Sequence, residues 1–206
     1  MTFQLTEPIL LIGLGGVGAS LAEKAKKSLN SDCLLISHDQ KDLTAENSIK
    51  ISTKSVVNPS THLIRGSTLE TSDEIKKNIA NYSTVILMSN LAGKAGVGIG
   101  PIVSRICKQE QKNLLSFAIM PFKFEKERIF QSGIALKRIR QDSQCTIVVD
   151  NDALLDSNPD LTQKQCYDIS NKAIESMMHS LKSSEISEDT NILSTGKATD
   201  DIEDSL

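Results

Sequence analysis

Short apolar runs and amphipathic segments alternate along most of this 206-residue chain. The apolar runs are rich in branched residues and are bounded by glycine or polar residues, a pattern typical of strands buried in a parallel sheet. We predict five strands, at residues 9–12, 33–37, 84–88, 114–120 and 146–149. Residues 40–66 show little periodicity and are predicted as loop, with a short strand near 62–65.

Between these runs, apolar residues recur every three or four positions, which predicts helices. The helices are expected at residues 19–29, 73–80, 102–107 and 128–140, followed by a long one from Thr162 to Leu181. Ser72 is a candidate N-cap for the second helix, and Pro101 is placed as the first residue of the third. The pattern Thr162-x-x-Gln165 is a capping box for the last.

Strands that alternate with helices predict an α/β fold. We expect a Rossmann-like parallel sheet with helices on both faces, the long helix at its C-terminal side, and a ligand site at the carboxyl ends of the strands. The length suits one domain, residues 1–182, followed by an acidic and largely flexible tail, residues 183–206.

Composition and charge narrow the function classes. The apolar fraction of 39% and charged fraction of 24% are those of a soluble globular protein. No run is long enough to cross a bilayer and no signal pattern begins the chain, so we expect a cytoplasmic protein. Residues 183–206 hold seven acids and one base, a net charge of −6, which leaves +3 for the first 182 residues. A mildly basic body suits a small anionic ligand, whereas the acidic end argues against nucleic acid.

The cysteines and histidines do not form a metal or redox pattern. Four widely spaced cysteines lie in apolar or periodic segments without a C-x-x-C pair, which indicates reduced, buried thiols. The three histidines are scattered as well, so no metal cluster is expected, and no catalytic Ser–His–Asp or Cys–His set is visible.

Two glycine-rich segments each lie between a predicted strand and a helix. Residues 13–18 fit the pattern G-x-G-x-x-G, and residues 93–100 contain four glycines. Backbone N–H groups and the positive end of a helix dipole face an anion in such a segment, so we predict a two-sided phosphate cradle. Two alternatives stay open: glycines that only permit tight turns and close packing, and a dinucleotide or adenylate enzyme with Asp39 as its ribose-binding acid.

Two later motifs give a more specific indication. The sequence Pro-Phe-Lys-Phe-Glu at 121–125 is followed by Asp-Asn-Asp-Ala-Leu-Leu at 150–155, and Asp168 lies on the last helix. Together with the glycine segments 13–20 and 92–98, these motifs occur in an order that resembles the GTPase domain of the FtsZ/tubulin family. The resemblance covers about residues 8–181.

The resemblance implies a guanine-nucleotide site for GTP or GDP, with Mg²⁺ held through the phosphates. The phosphates are expected over Gly15, Gly16, Gly18, Ala19 and Ser20 on one side and over Gly93, Lys94, Ala95, Gly96 and Gly98 on the other. Glu125 and Arg128 are expected at the ribose, and Asn151 at the base or ribose. Asp168 would accept both donors of the guanine edge, N1–H and N2–H₂, which adenine does not offer.

The chain also departs from the family pattern. Residues 92–98 lack the threonines of the family's signature loop and place the cation of Lys94 there, and the acid-bearing loop that follows the family's long helix is not found. We therefore expect weak or no GTP hydrolysis, a GTPase at most, and no second, activation domain. The resemblance suggests a role in cell division or cytoskeletal filaments, with an FtsZ-like protein or a second copy as partner.

Two rival hypotheses stay open. One is an interaction protein of the same fold that binds no nucleotide and modulates FtsZ-like filaments. The other is a Rossmann-type dinucleotide or adenylate enzyme, supported by residues 13–18 and Asp39.

Overall fold

The computed structural model describes residues 2–54, 56–181 and 186–187. Its strands are β1 (Thr2–Phe3), β2 (Ile9–Leu14), β3 (Asp32–Ser37), β4 (Ser48–Lys50), β5 (Thr84–Asn90), β6 (Asn113–Ile119), β7 (Cys145–Val149) and β8 (Ile186–Ser187). Its α-helices are α1 (Gly15–Leu29), α2 (Thr61–Glu70), α3 (Ser72–Ile79), α4 (Lys94–Gln109), α5 (Lys126–Asp142), α6 (Asn151–Ser157) and α7 (Gln163–Ser180).

The main sheet is parallel and has six strands in the order β4-β3-β2-β5-β6-β7. The chain runs outward from β2 through β3 to β4, and then returns to the other side of β2 with β5. In such a sheet, the loops that leave β2 and β5 part in opposite directions and open a crevice at the carboxyl edge. The predicted fold class is confirmed. The crevice at the switch point lies between the two glycine segments.

Side chains of each strand alternate between two cores. Leu11, Ile86 and Phe117 face α1 and α7, where they pack with Ala22, Ile174 and Met178. Their neighbours Leu10, Val85 and Leu114 face α2, α3 and α4 on the opposite side, and Ala118 faces α5. The strands of a parallel sheet that is covered on both faces are apolar along nearly their whole length. This pattern is what allowed most of them to be predicted from the sequence.

The predicted strand near 62–65 is wrong, because these residues lie in α2. Ser60 caps this helix by accepting a hydrogen bond from the backbone N–H of Leu63 at 3.2 Å. Ile64 and Thr68, one helical turn apart, are fully buried. A segment with so few apolar residues still forms a helix because one narrow stripe packs on α4.

Ser72 is not the N-cap of the next helix. It is the first residue of α3, and its hydroxyl donates to the carbonyl of Leu69 at 2.7 Å, at the end of α2. The side chain thus satisfies a C-terminal carbonyl of one helix instead of an N-terminal donor of the next.

Pro101 is also misplaced by the sequence prediction, since α4 begins at Lys94 and contains Pro101. Two helical positions before it are glycine because side chains of neighbouring helices occupy the space that a Cβ would need. A Cβ on Gly98 would lie 2.8 Å from Cγ2 of Ile64 in α2, and one on Gly100 would lie 3.1 Å from Cδ1 of Ile139 in α5. The second glycine segment therefore also serves close packing of three helices.

The capping box of α7 is confirmed. The N–H of Gln165 donates to Oγ1 of Thr162 at 3.3 Å, and the N–H of Thr162 donates to Oε1 of Gln165 at 2.8 Å. Helix α6 was not predicted. The acidic segment 183–206 lies outside the described residues except for β8, which pairs antiparallel with β1.

Candidate functional site

A cavity of about 670 Å³ opens at the carboxyl edge of the sheet, at the end of β5. The N-terminal turns of α2 and α4 form two of its sides, α5 forms a third, and Val17 of α1 and Tyr167 of α7 complete it. Its lining residues are Val17, Ser60, Thr61, His62, Asn90, Leu91, Ala92, Gly93, Lys94, Val97, Glu127, Arg128, Gln131 and Tyr167.

The first glycine segment forms a tight turn from β2 into α1. Gly15 has a φ of +64°, a conformation that side chains rarely adopt, and a Cβ there would lie 2.8 Å from Cβ of Ala95 in α4. A Cβ on Gly13 would lie 2.7 Å from Cα of Ala19, so this glycine lets the helix pack directly on its strand. The two glycine segments therefore touch each other, and the N-termini of α1 and α4 open on the same crevice.

An acidic side chain that the sequence prediction missed lies at the start of α1. Oδ1 of Asp42 is 2.9 Å from the position of a Cβ on Gly16, and its Oδ2 accepts the hydroxyl proton of Ser37 at 2.7 Å. Helix α1 has no acid in its first turn and Leu14 provides no side-chain cap, so Asp42 is the carboxylate placed against its positive end.

Asp39, the candidate ribose acid, is engaged elsewhere. It caps the short 3₁₀ helix Gln40–Asp42 by accepting from the N–H of Lys41 at 3.2 Å, and its carboxylate pairs with Nζ of Lys41 at 3.1 Å. The hydrogen bond from the Lys41 side chain is the main reason that the pKa of Asp39 is lowered. The two acids are three positions apart in sequence, and only the fold shows which one faces the glycines.

Lys94 lies at the mouth of the cavity and is bound to the segment before α2. Its ammonium donates to Oδ1 of Asn58 at 2.6 Å and to the carbonyl of Pro59 at 3.0 Å. Its charge helps to lower the pKa of His38, although burial is the larger cause. Nδ1 of His38 is buried without a hydrogen-bond partner in the described structure.

The other glycines of the second segment have different surroundings. Gly93 is the N-cap of α4 and lines the cavity, and no side chain caps this helix end in the described structure. Gly96 and Gly98 face inward, Gly96 toward the backbone of Asn90 and Gly98 toward α2. Ala95 contributes the methyl group that borders Gly15.

The predicted ribose pair forms at the start of α5. Nη1 of Arg128 donates to Oε1 of Glu125 at 2.6 Å, while Oε2 of Glu125 accepts the N–H of Phe122 at 3.1 Å. The Arg128 side chain is 60% exposed, against 16% for Glu125. Arg128 lines the cavity, and its hydrogen bond to the more buried Glu125 holds the guanidinium group in place.

Asn151 and Asp168 differ sharply in their surroundings. Asn151 is fully buried, where its amide donates to the carbonyl of Met120 at 3.2 Å and its Oδ1 accepts from Ser170 at 2.6 Å. It thus ties the end of β6 to α7. Asp168 is exposed and forms no hydrogen bond or ion pair with any residue that the structure describes.

Tyr167 connects Asp168 to the cavity along α7. Its ring lines the cavity and packs edge-on against Phe122, with centroids 5.4 Å apart. One turn further along the helix, Oδ1 of Asn171 is buried without a partner among the described residues. This buried acceptor is a second feature that no sequence motif indicated.

Of the predicted site residues, Gly93, Lys94 and Arg128 line the cavity. Gly15 and Gly16 lie in the adjoining crevice against Ala95 and Asp42. Gly18 contacts the backbone of β5, and Ala19 is buried in the core under α1. Ser20 is exposed on α1.

No group of three or more His, Cys, Asp or Glu side chains in the described part of the chain is arranged to hold a metal ion. Among the helices of residues 2–54 and 56–181, none is both long and apolar enough to span a membrane.

Comparison with known proteins agrees with this architecture. The model of the Tubulin/FtsZ family, GTPase domain, matches residues 62–159. Cell division protein FtsZ 2 of Halobacterium salinarum is 25% identical over 180 residues, which cover 81% of this chain and 44% of the relative. Cell division protein FtsZ of Haloferax mediterranei is 31% identical over 115 residues, 55% of this chain and 30% of the relative.

The fold agrees as well. The structure of an empty FtsZ dimer from M. jannaschii superposes with a TM-score of 0.76 at 21% identity, over 86% of this chain and 55% of that one. The chain thus spans less than half of the curated relatives and about half of the solved structure. Together, the family model over residues 62–159, the FtsZ relatives and the FtsZ structure support a divergent domain of the tubulin/FtsZ type.

Proposed function

We propose that this domain binds a guanine nucleotide at the carboxyl edge of its sheet. The observation that carries the proposal is the convergence of α1 and α4. Both helices begin without a side-chain cap in the described structure, and their first turns touch at Gly15 and Ala95. Two helix N-termini that open on one crevice offer backbone donors and two positive dipole ends to a chain of phosphates.

Each predicted residue has a role in this proposal. Gly15, Gly16 and Gly18, with Ala19 and Ser20, present the first turn of α1, and the segment from Gly93 to Gly98 presents that of α4. Arg128, positioned by Glu125, is available to the ribose. Asn151 is proposed to have an indirect role. Its hydrogen bonds join the residue after β6 to α7, the helix that carries Tyr167 and Asp168.

Asp168 is proposed to select guanine. Its carboxylate has no partner in the described structure, so it can accept from N1–H and N2–H₂ together. An adenine base would leave it facing an acceptor, which costs free energy when the pair is shielded from water.

Asp42 makes the counter-ion important. A phosphate at Gly16 would lie close to this carboxylate. Mg²⁺ bound to the phosphates would offset the repulsion, and hard oxygen ligands are what this ion prefers. We therefore propose that nucleotide binding is stronger with Mg²⁺ than without it.

Hydrolysis is proposed to be weak. Within the described part of the chain, no acid cluster at the cavity mouth could orient a water molecule for attack on a terminal phosphate. The relatives named as cell division proteins and the FtsZ dimer motivate a role in cell division or in filaments, with an FtsZ-like protein or a second copy as partner.

Two observations favour a second candidate, a member of the fold that binds partners but no nucleotide. Asp42 already places a negative charge at α1, and Lys94 already has two acceptors. The enzyme rival has less support, because Asp39 is paired with Lys41.

Thermal unfolding with GTP, GDP, ATP and NAD, each with Mg²⁺, separates these candidates. A ligand at 100 times its dissociation constant stabilises the native state by about 2.7 kcal/mol. The proposal expects the largest increase in melting temperature with GTP and GDP. A larger increase with NAD or ATP would support the enzyme, and no increase with any of the four would support the nucleotide-free protein.

A further inference from the structure

Two arginines on α2 and α5, Arg65 and Arg138, lie close enough to repel each other and have no acidic partner among the described residues. Arg138 of α5 contributes to lowering the pKa of Arg65 of α2, after burial, which is the larger cause. Nε of Arg65 is buried without a hydrogen-bond acceptor. Neither arginine forms an ion pair or hydrogen bond with another residue in the described ranges.

The packing of the three helices explains why these side chains are so close. Gly98 and Gly100 allow α2 and α5 to approach α4 from both sides. At the upper end of the groove, the hydroxyl of Thr61 donates to Oε1 of Gln131 at 3.3 Å. Arg65 lies one turn below Thr61, and Arg138 two turns below Gln131, so the guanidinium groups project from facing helix surfaces.

Exposed apolar side chains accompany the two arginines. Leu69 follows Arg65 by four residues and is 52% exposed, and Ile134 precedes Arg138 by four residues and is 38% exposed. Phe130, one further turn back on α5, is 72% exposed. We call these five residues the arginine groove. It combines two unpaired cations with an apolar strip.

An occupant that suits this surface carries carboxylates on both sides of an apolar residue. Carboxylates pair well with guanidinium groups, and a buried Nε–H without an acceptor is unfavourable until one arrives. Residues 200–204 of this chain read Asp-Asp-Ile-Glu-Asp, which is two acids, an isoleucine and two acids. The surrounding segment 183–206 has a net charge of −6.

The chain places this segment within reach. Strand β8 pairs with β1, and the carbonyl of Gln4, next to β1, accepts from Asn113 at the amino end of β6. Helix α5 ends at the same edge, where Gln144 donates its N–H to Leu114. The 13 Cα–Cα steps from Ser187 to Asp200 can span about 45 Å when extended, compared with a radius of gyration of about 16 Å for a domain of this size.

We propose that residues 200–204 dock intramolecularly on the arginine groove, with carboxylates on Arg65 and Arg138 and Ile202 on the apolar strip. None of the five groove residues lines the cavity, so this contact does not require the proposed nucleotide site.

Paramagnetic relaxation in the full chain tests the contact. The four native cysteines are buried, so Ser205→Cys offers one accessible thiol for a nitroxide label. The label should remove most of the amide peak intensity at residues 65–69 and 134–138 in low salt. The loss should disappear in 1 M NaCl, where the Debye length is about 3 Å.

Matched variants show which arginines matter. Arg65→Gln with Arg138→Gln should restore the amide intensities, and replacing the four acids of 200–204 by Asn or Gln should do the same. Arg140→Gln is the control, because this exposed arginine lies on the other side of α5, beside Gly133 and Lys137. Amide dispersion in the same spectra reports whether each variant is folded.

Three results would overturn the proposal. In the first, the labelled chain with both arginines intact shows no loss of amide intensity. In the second, the loss survives the double change Arg65→Gln with Arg138→Gln. In the third, Arg140→Gln restores the intensities as much as that double change does. A mixture of labelled, unenriched chain with unlabelled, ¹⁵N-enriched chain separates the copies. A loss of intensity that persists in this mixture would replace intramolecular docking by contact with a second copy.

Discussion

Replacing Asp42 by asparagine tests the electrostatics of the proposed phosphate site. The variant keeps the shape of the side chain and can still accept the proton of Ser37, but it removes the charge beside Gly16. Two unit charges 4 Å apart interact by about 4 kcal/mol at an effective dielectric constant of about 20. Because Asp42 is partly exposed, solvent screening reduces this value. We expect Asp42→Asn to strengthen GDP binding by about 1–2 kcal/mol without Mg²⁺, a factor of about 5–30.

Isothermal titration with GDP in EDTA measures this effect, and repeating it with Mg²⁺ should show a smaller difference. Asp39→Asn is the matched control, since it removes the same charge three residues away, from a carboxylate paired with Lys41. The free protein should lose about 0.3–1 kcal/mol of stability in Asp42→Asn, because the α1 N-terminus loses a nearby carboxylate. Weaker or unchanged GDP binding in EDTA, or an equal gain in Asp39→Asn, would refute the proposed position of the phosphates.

Three further changes test other parts of the site. Asp168→Ala should remove the preference for guanine over adenine nucleotides in thermal unfolding, and a preference that persists would place the base elsewhere. Lys94→Ala should weaken the binding of GTP more than that of GDP, because the Lys94 ammonium can leave Asn58 for the terminal phosphate. Asn58→Ala frees this ammonium and should strengthen GTP binding. Equal effects on the binding of both nucleotides would contradict this role. Burial lowers the pKa of His38, so the native state favours the neutral imidazole. The free energy of unfolding should therefore fall as the pH drops below about 6.5, the pKa of histidine in the unfolded chain. His38→Gln should flatten the decrease in melting temperature between about pH 7 and pH 5, and an unchanged profile would assign the decrease to other groups.

The sequence predicted five of the six strands of the main sheet, because both faces of this sheet are covered, and missed the short edge strand β4. Runs such as Val85–Leu87 are fully buried and therefore apolar without interruption. The capping box at Thr162 was equally visible, since its hydrogen bonds join residues three apart. These features depend on local sequence and on one simple rule of burial.

Features that depend on distant contacts were not predictable. The close contacts that require glycine at positions 96 and 98 are made with the end of β5 and with α2, which local sequence does not place. Helix α2 shows too narrow an apolar stripe to be distinguished from loop before its partner α4 is known. The position of Asp42 at Gly16 depends on the turn after β3, and the burial of Asn151 depends on Ser170 of α7.

The central claim is that this domain binds guanine nucleotide where α1 and α4 converge. Isothermal titration of the chain with GDP and with ADP, in Mg²⁺, tests it most directly. We expect one GDP site per chain, much weaker binding of ADP, and loss of that difference in Asp168→Ala. Absence of heat with GDP at millimolar concentration, or equal affinities for GDP and ADP, would contradict it.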